Sequence, residues 1–231
     1  MRTHPGLSFV AGALLGLVFP ALVRADRLDS KTDTQPAVKV VIDTSEAPEL
    51  AAWGDAAKRL VVKWHPIIAD MLQTEGFVPA KEVKLVFKKT ARSPAATGGS
   101  TIYISANHVK QHPEDYGMVV HELVHVLQRY PKFNKDNWWL VEGIADYVRF
   151  YRYEPNTRLP PINSAKASYR DGYKTSARFL AWIEKQHDKD IITQLNLALR
   201  KGEYRPELFQ EWTGKSVDDL WADFRRASPR R

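Results

Sequence analysis

The chain has 231 residues, a length that fits one domain of ordinary size, and its apolar and charged fractions are typical of globular proteins. It contains no cysteine, which excludes disulfides, thiolate zinc sites and a cysteine nucleophile. The formal net charge of +7 arises mostly at the two ends, because the first 25 residues contain no acid and four arginines follow Phe224 without an acid. Nucleic-acid binding by the folded body is therefore not expected.

The first 25 residues have the composition of a secretory signal peptide. A short polar start precedes the apolar stretch 7–23, and Val23-Arg24-Ala25 is similar to a small-x-small cleavage site. We expect cleavage after Ala25 and a secreted or periplasmic protein without stable membrane association. An uncleaved anchor is the alternative, because this stretch is close to the minimum length for spanning a bilayer.

Beyond the leader we expect a flexible lead-in at 26–36, one domain at 37–224 and a basic, disordered tail at 225–231. Residue patterns predict strands at 37–44, 83–87 and 101–105, a long amphipathic helix at 47–75 and a loop at 90–100. From Glu114 the chain is predominantly helical, with helices predicted at 114–129, 138–152, 174–187, 189–201, 206–213 and 216–227. This order predicts an α+β fold, with a small N-terminal mixed or antiparallel sheet and a long helix before a mainly helical half.

Residues 121–125 read His-Glu-Leu-Val-His within an apolar helical segment. Histidines four apart share one face of a helix and lie about 6 Å apart along its axis, so both imidazoles can bind one metal ion. The alternative is that both are ordinary core or surface histidines, although ring nitrogens on the apolar side of a helix need partners. We predict zinc bound by His121 and His125, with Glu122 as the group that takes a proton from water.

A catalytic zinc site needs a third protein ligand and a position open to water. The next predicted helix offers Glu142 and Asp146, which are four residues apart and share a face. We expect Glu142 to bind zinc and Asp146 to accept a hydrogen bond from a ligating histidine, with the exchanged roles as the alternative. Tyr173 is the first candidate for the donor to the oxyanion. The other candidates for that role are Tyr169, His108 and His112.

The sequence contains two helical motifs, HELVHVLQ and EGIADYVR, and the segment GYKTSARFL from Gly172 to Leu180. These three segments resemble the plant and bacterial basic secretory proteins, a family classed as zinc peptidases. The resemblance covers residues 38–225 and implies a zincin-like core of the gluzincin type, related in plan to thermolysin and aminopeptidase N. It implies the same roles for Glu142 and Asp146. It also suggests that Thr101, Ile102, Tyr103 and Ile104 form an exposed sheet edge on which an extended peptide binds.

These features together predict a secreted, monomeric zinc peptidase that acts on peptides or proteins. Two alternatives stay open. The site activates water without specifying the bond, so the substrate could be another amide or ester. The chain could also be a zinc-binding defence or binding protein that has no turnover.

Overall fold

The computed structural model describes residues 38–163 and 166–228. The predicted signal peptide, the cleavage site after Ala25, the lead-in at 26–36 and the last three residues lie outside this part of the chain. None of the helices within it combines the length and the apolar character that a membrane span requires.

Four strands form one mixed sheet in the order β1-β2-β4-β3. They are β1 Lys39–Asp43, β2 Glu82–Lys88, β3 Ala95–Gly98 and β4 Thr101–Ser105. Strands β1, β2 and β4 are parallel, and β3 runs antiparallel to β4. The three predicted strands are confirmed to within two residues at each end, and the α+β class with its small sheet is confirmed.

Strand β3 lies in the segment that was predicted to be a loop, and that prediction is wrong for 95–98. The residues of β3 are small and have little preference for strands, so the pairing with β4 determines their conformation. Gly99 and Ser100 form the two-residue turn between the strands, and Gly99 has a φ of 61°, a value that favours glycine in such hairpins.

The position of β3 corrects the expected substrate-binding edge. Because β4 is paired with β2 on one side and with β3 on the other, Thr101, Ile102, Tyr103 and Ile104 do not form a sheet edge. The side chains of Ile102 and Ile104 are fully buried in the core. The free edge next to the helical half belongs to β3.

Eight α-helices are found in the described residues. They are α1 Ala51–Met71, α2 Ala106–Gln111, α3 Gly117–Gln128, α4 Trp138–Val148, α5 Tyr173–Gln186, α6 Ile191–Lys201, α7 Leu208–Thr213 and α8 Val217–Ala227. Short 3-10 segments at Pro48–Leu50 and Tyr169–Asp171 precede α1 and α5, and a π-helical turn at Arg149–Tyr153 continues α4. All the predicted helices are present, whereas the short helix α2 was not predicted.

The last helix corrects one predicted boundary. Helix α8 buries Leu220, Trp221 and Phe224 and continues to Ala227, so Arg225 and Arg226 belong to the helix and not to a disordered tail. Basic side chains in the last turn of a helix interact favourably with its dipole. This contribution helps to explain why the helix extends past Phe224.

Helix α3 is the central element of the domain. It packs against α1, α4, β3 and β4, and all of its residues except His125 are buried. Helices α4 and α5 approach each other closely at Gly143, where a Cβ atom would lie 2.8 Å from the Cβ of Ser176. The edge of α3 that carries the histidines therefore lies between a closely packed pair of helices on one side and β3 on the other.

Candidate metal centre

Helices α3 and α4 run antiparallel, and their contacts fix the register between them. Near the end of α3, Gln128 donates from Nε2 to the main-chain oxygen of Val141 at 2.9 Å. Seven residues earlier in α3, His121 pairs with Asp146, which lies five residues after Val141 in α4. In the connecting loop, the buried side chain of Asn137 donates to the carbonyl of Lys132 and accepts from the main-chain N–H of Asn134. This loop sets the helices so that the acids of α4 face the histidines of α3.

Three candidate ligand atoms converge on one point. The Nε2 atoms of His121 and His125 are 3.1 Å apart, and Oε2 of Glu142 is 3.2 Å from the first and 3.5 Å from the second. His121, His125 and Glu142 each contribute an atom to a group that lies within 4.8 Å, as residues that share a metal ion would. The carboxylate of Asp146 is not in this group and is directed at the other ring nitrogen of His121.

Each histidine is held by a hydrogen bond at Nδ1. His121 donates to Oδ1 of Asp146 at 2.7 Å, and His125 donates to Oε1 of Gln128 at 2.7 Å. A carboxylate oxygen and an amide oxygen only accept, so Nδ1 carries the hydrogen in both rings. Nε2 is then the atom of each ring that can bind a metal.

The electrostatics of the site favour a positive charge between these groups. Burial by itself would lower the pKa of His121, but hydrogen bonds with Asp146 and Glu142 outweigh burial and raise the pKa to about 9. Burial would raise the pKa of Glu142, but hydrogen bonds with both histidines lower it to about 2. The carboxylate is therefore ionised, and a cation at the point where the three atoms meet fits this charge distribution.

Glu122 lies beside the ligand atoms and is only 8% exposed. Oγ1 of Thr97 on β3 lies 2.7 Å from Oε2 of Glu122 and 2.9 Å from its main-chain oxygen. Its single hydroxyl hydrogen is shared between these two acceptors, and the contact orients the carboxylate from the sheet side. Sequence reasoning did not find Thr97, because it lies in the segment that was predicted to be a loop.

Tyr173 lies beside His121 and lines the same cavity. Its ring stacks on His121 with centroids 6.0 Å apart and meets the ring of Trp138 edge-on at 5.7 Å. Gly172 before it has a φ of 71°, and a Cβ there would lie 2.6 Å from Trp138, so the close approach requires glycine. The other three candidates for the oxyanion donor do not line this cavity, and Tyr169 instead donates to Asp218 while His108 pairs with Asp115.

An open cavity of about 1090 Å³ contains these groups. His121, Glu122, His125 and Glu142 form its floor, and Tyr173 lies on one wall. The wall on the sheet side consists of Ala95, Ala96 and Thr97 of β3. The strand that was expected to bind substrate, Thr101–Ile104, does not line the cavity.

The fold and the site define a small α+β domain in which two antiparallel helices present two imidazoles and a carboxylate to a single point in an open cleft. Residues 50–224 match the family described as "Peptidase of plants and bacteria", and the chain belongs to this family. The resemblance to the basic secretory proteins is thereby confirmed, and the family description implies peptides or proteins as substrates. The chain matches no curated protein and no solved structure.

Proposed function

We propose that this chain is an exported zinc-dependent peptidase in which His121, His125 and Glu142 hold the metal and Glu122 is the general base. One observation carries the proposal. Two Nε2 atoms and one carboxylate oxygen converge within 4.8 Å beside Glu122, in a cavity that a peptide can enter. The family description supports peptide-bond hydrolysis.

The chemistry of the donor set fits zinc. Two imidazoles and one carboxylate, with one side open to the cavity, are the ligands of many catalytic zinc sites. The Nδ1 hydrogen bonds to Asp146 and Gln128 support this assignment, because ligating histidines usually donate their second N–H to such partners. Zinc held by these three residues would lower the pKa of water toward neutrality and would act as a Lewis acid toward the carbonyl of the substrate.

Glu122 then transfers the proton. Its carboxylate, oriented by Thr97, accepts the proton from the water that attacks the carbonyl carbon and passes it to the leaving amine. Tyr173 is the proposed donor to the oxyanion, because its ring stacks on His121 and lines the cavity. Burial and the nearby acids raise the pKa of Tyr173, so its hydroxyl keeps the proton that it must donate.

We place the substrate along β3. Its outer edge is free in the described sheet, and Ala95, Ala96 and Thr97 line the cavity. An extended peptide can therefore add to this edge by main-chain hydrogen bonds with its scissile bond near Glu122. One chain supplies every group of the site, which supports a monomeric enzyme, and export is proposed on the composition of the first 25 residues.

The replacement Glu122→Gln tests the proposal. It keeps the shape of the side chain but removes the base, so cleavage of a mixed peptide library should fall by about 10²- to 10⁴-fold. Zinc content, measured by elemental analysis, should stay at the wild-type level. Glu203→Gln, an exposed site away from the cavity, is the matched control and should leave both unchanged. A zinc-loaded wild-type protein that cleaves no peptide would overturn the peptidase assignment.

A further inference from the structure

Two residues other than glycine have positive φ in the described part of the chain, and both line the candidate active-site cavity. They are Arg129, with φ 42°, and Tyr173, with φ 47°. Arg129 ends helix α3 in the left-handed conformation. Glycine is usual at such a helix end, and a residue with a Cβ is less stable there. An arginine in this position therefore suggests that its side chain has a use in the cavity.

The side chain of Arg129 is exposed, and no carboxylate of the described residues forms an ion pair with it. Arg129 also lines two smaller cavities, of about 480 and 740 Å³, so it borders all three cavities. The charged residues that line the two smaller cavities besides Arg129 are Lys81, Lys84, Glu82, Arg200, Lys201 and Glu75. Cations outnumber acids in this set, and Glu82 is already paired with Lys39.

Arg200 cannot neutralise this region, because it is a second cation. Its guanidinium lies 3.6 Å from the centre of the Phe77 ring and donates to the main-chain oxygen of Leu127 at 3.2 Å. Burial lowers the pKa of Arg200, the interaction with Tyr130 partly opposes this effect, and repulsion from Arg129 lowers the pKa further. Two guanidinium groups that form no ion pair with an acid of the described residues favour an anion beside Arg129.

We infer that Arg129 binds a carboxylate group of the substrate, from an acidic side chain or from a free C-terminus. This inference rests on the proposed peptidase function. Arg129 follows His125 by four residues, which is about 6 Å along a helix. An extended peptide advances about 3.3 Å per residue, so the carboxylate belongs to one of the first three residues on one side of the scissile bond. A guanidinium binds a carboxylate through two parallel hydrogen bonds, which gives selectivity over an amide.

Peptide binding tests the inference without requiring turnover. Zinc-loaded Glu122→Gln protein is titrated against fluorescent peptides that carry Glu, Gln or Lys at each of three positions on both sides of a central bond. A second arm compares each peptide with a free C-terminus or an amidated one, which separates the two sources of the carboxylate. We expect about ten- to a hundredfold tighter binding of the carboxylate peptide in one arm. The wild-type protein should show the same preference in kcat/KM.

Adding Arg129→Gly or Arg129→Gln should remove the preference while zinc content stays unchanged. Arg129→Gly also relieves the left-handed backbone, so its melting temperature should be no lower, which shows that the fold is intact. Arg59→Gln, on the exposed face of α1 and outside these cavities, is the control and should keep the preference. A preference that survives loss of Arg129, or no preference in either arm, overturns the inference. A preference that depends on Arg129 without turnover in the wild type overturns only the peptidase function.

Discussion

Gln128 accepts a hydrogen bond from Nδ1 of His125 at 2.7 Å, and the same amide donates to the carbonyl of Val141 in the next helix. A single buried side chain thus fixes the tautomer of one candidate ligand and joins α3 to α4. Asp146 orients the other imidazole, but it does so from α4 and with a carboxyl group. The two histidines are therefore oriented by different groups, and each Nδ1 hydrogen bond can be removed by a separate substitution.

Replacing Gln128 by Leu should weaken zinc binding. His125 would lose the acceptor at Nδ1, and loss of such a partner typically lowers metal affinity by about 10- to 100-fold. Competition with a chromogenic chelator measures the change. Gln128→Glu keeps an acceptor for His125 but loses the donor to Val141, so it should retain zinc better than the Leu variant. Equal zinc affinity in the Leu variant and the wild type would show that Gln128 does not orient the ligand.

The two acids of α4 should differ in their effect on zinc. Glu142→Gln replaces the carboxylate, whose Oε2 lies 3.2 and 3.5 Å from the two Nε2 atoms, by a neutral amide that is a much weaker ligand, so the protein should lose zinc during dialysis. Asp146→Asn leaves the three ligand atoms in place, and zinc affinity should fall by only about 10- to 100-fold. Elemental analysis after dialysis distinguishes them. If Asp146→Asn loses the metal and Glu142→Gln retains it, the exchanged roles are correct.

The placement of the four site residues on the faces of their own helices could be predicted from the sequence. His121 and His125, and likewise Glu142 and Asp146, share a helix face because of the four-residue spacing alone. The apolar residues around both pairs predict buried helices. The short connection between Gln128 and Trp138 then brings the two helices together as antiparallel neighbours. These arguments need no distant contact, which explains why α3 and α4 agree with the prediction.

The parts that failed have a weak pattern of their own. Ala95–Gly98 has no alternating β-branched residues and becomes a strand by pairing with β4 across a two-residue turn, so β3, the true edge and Thr97 were missed. The left-handed conformation of Arg129 could not be predicted either, because glycine is the usual residue at such a helix end. Gln128 is different, because its position three residues after His125 places it on the same face. That spacing was a signal that sequence reasoning could have used.

Thr97→Val should lower turnover without affecting the metal. The change keeps the shape of the side chain but removes the hydroxyl that lies 2.7 Å from Glu122, so the base is less well oriented. The loss of one such hydrogen bond corresponds to a decrease in kcat of about five- to thirtyfold. Thr97→Ser should restore most of the rate. Thr101→Val, on β4 and outside the cavity, is the matched control, and a similar loss of rate there would argue for a general effect on the sheet.

Asp115 should make the stability of the domain depend on pH. It pairs with Arg149 at 2.6 Å and with His108 at 3.0 Å, and its Oδ1 also accepts from the N–H of Met118 in the first turn of α3. Burial would raise the pKa of Asp115, but the hydrogen bond with His108 and the charge of Arg149 lower it below its ordinary value. A carboxyl with a lowered pKa in the folded state stabilises the protein above its unfolded pKa of about 3.9. That contribution is lost as the pH falls through the folded pKa.

Asp115→Asn should therefore lower the free energy of unfolding by about 1–3 kcal/mol at pH 7, because Arg149 loses its charged partner. The difference from the wild type should be smaller at pH 3, which lies below the unfolded pKa, because the stabilisation declines from there down through the folded pKa. Urea unfolding at both pH values measures the two differences. Asp55→Asn on the exposed face of α1 controls for the general loss of one negative charge. A difference for Asp115→Asn that is equally large at both pH values would mean that its ionisation does not contribute, and that the side chain acts through packing or the cap alone.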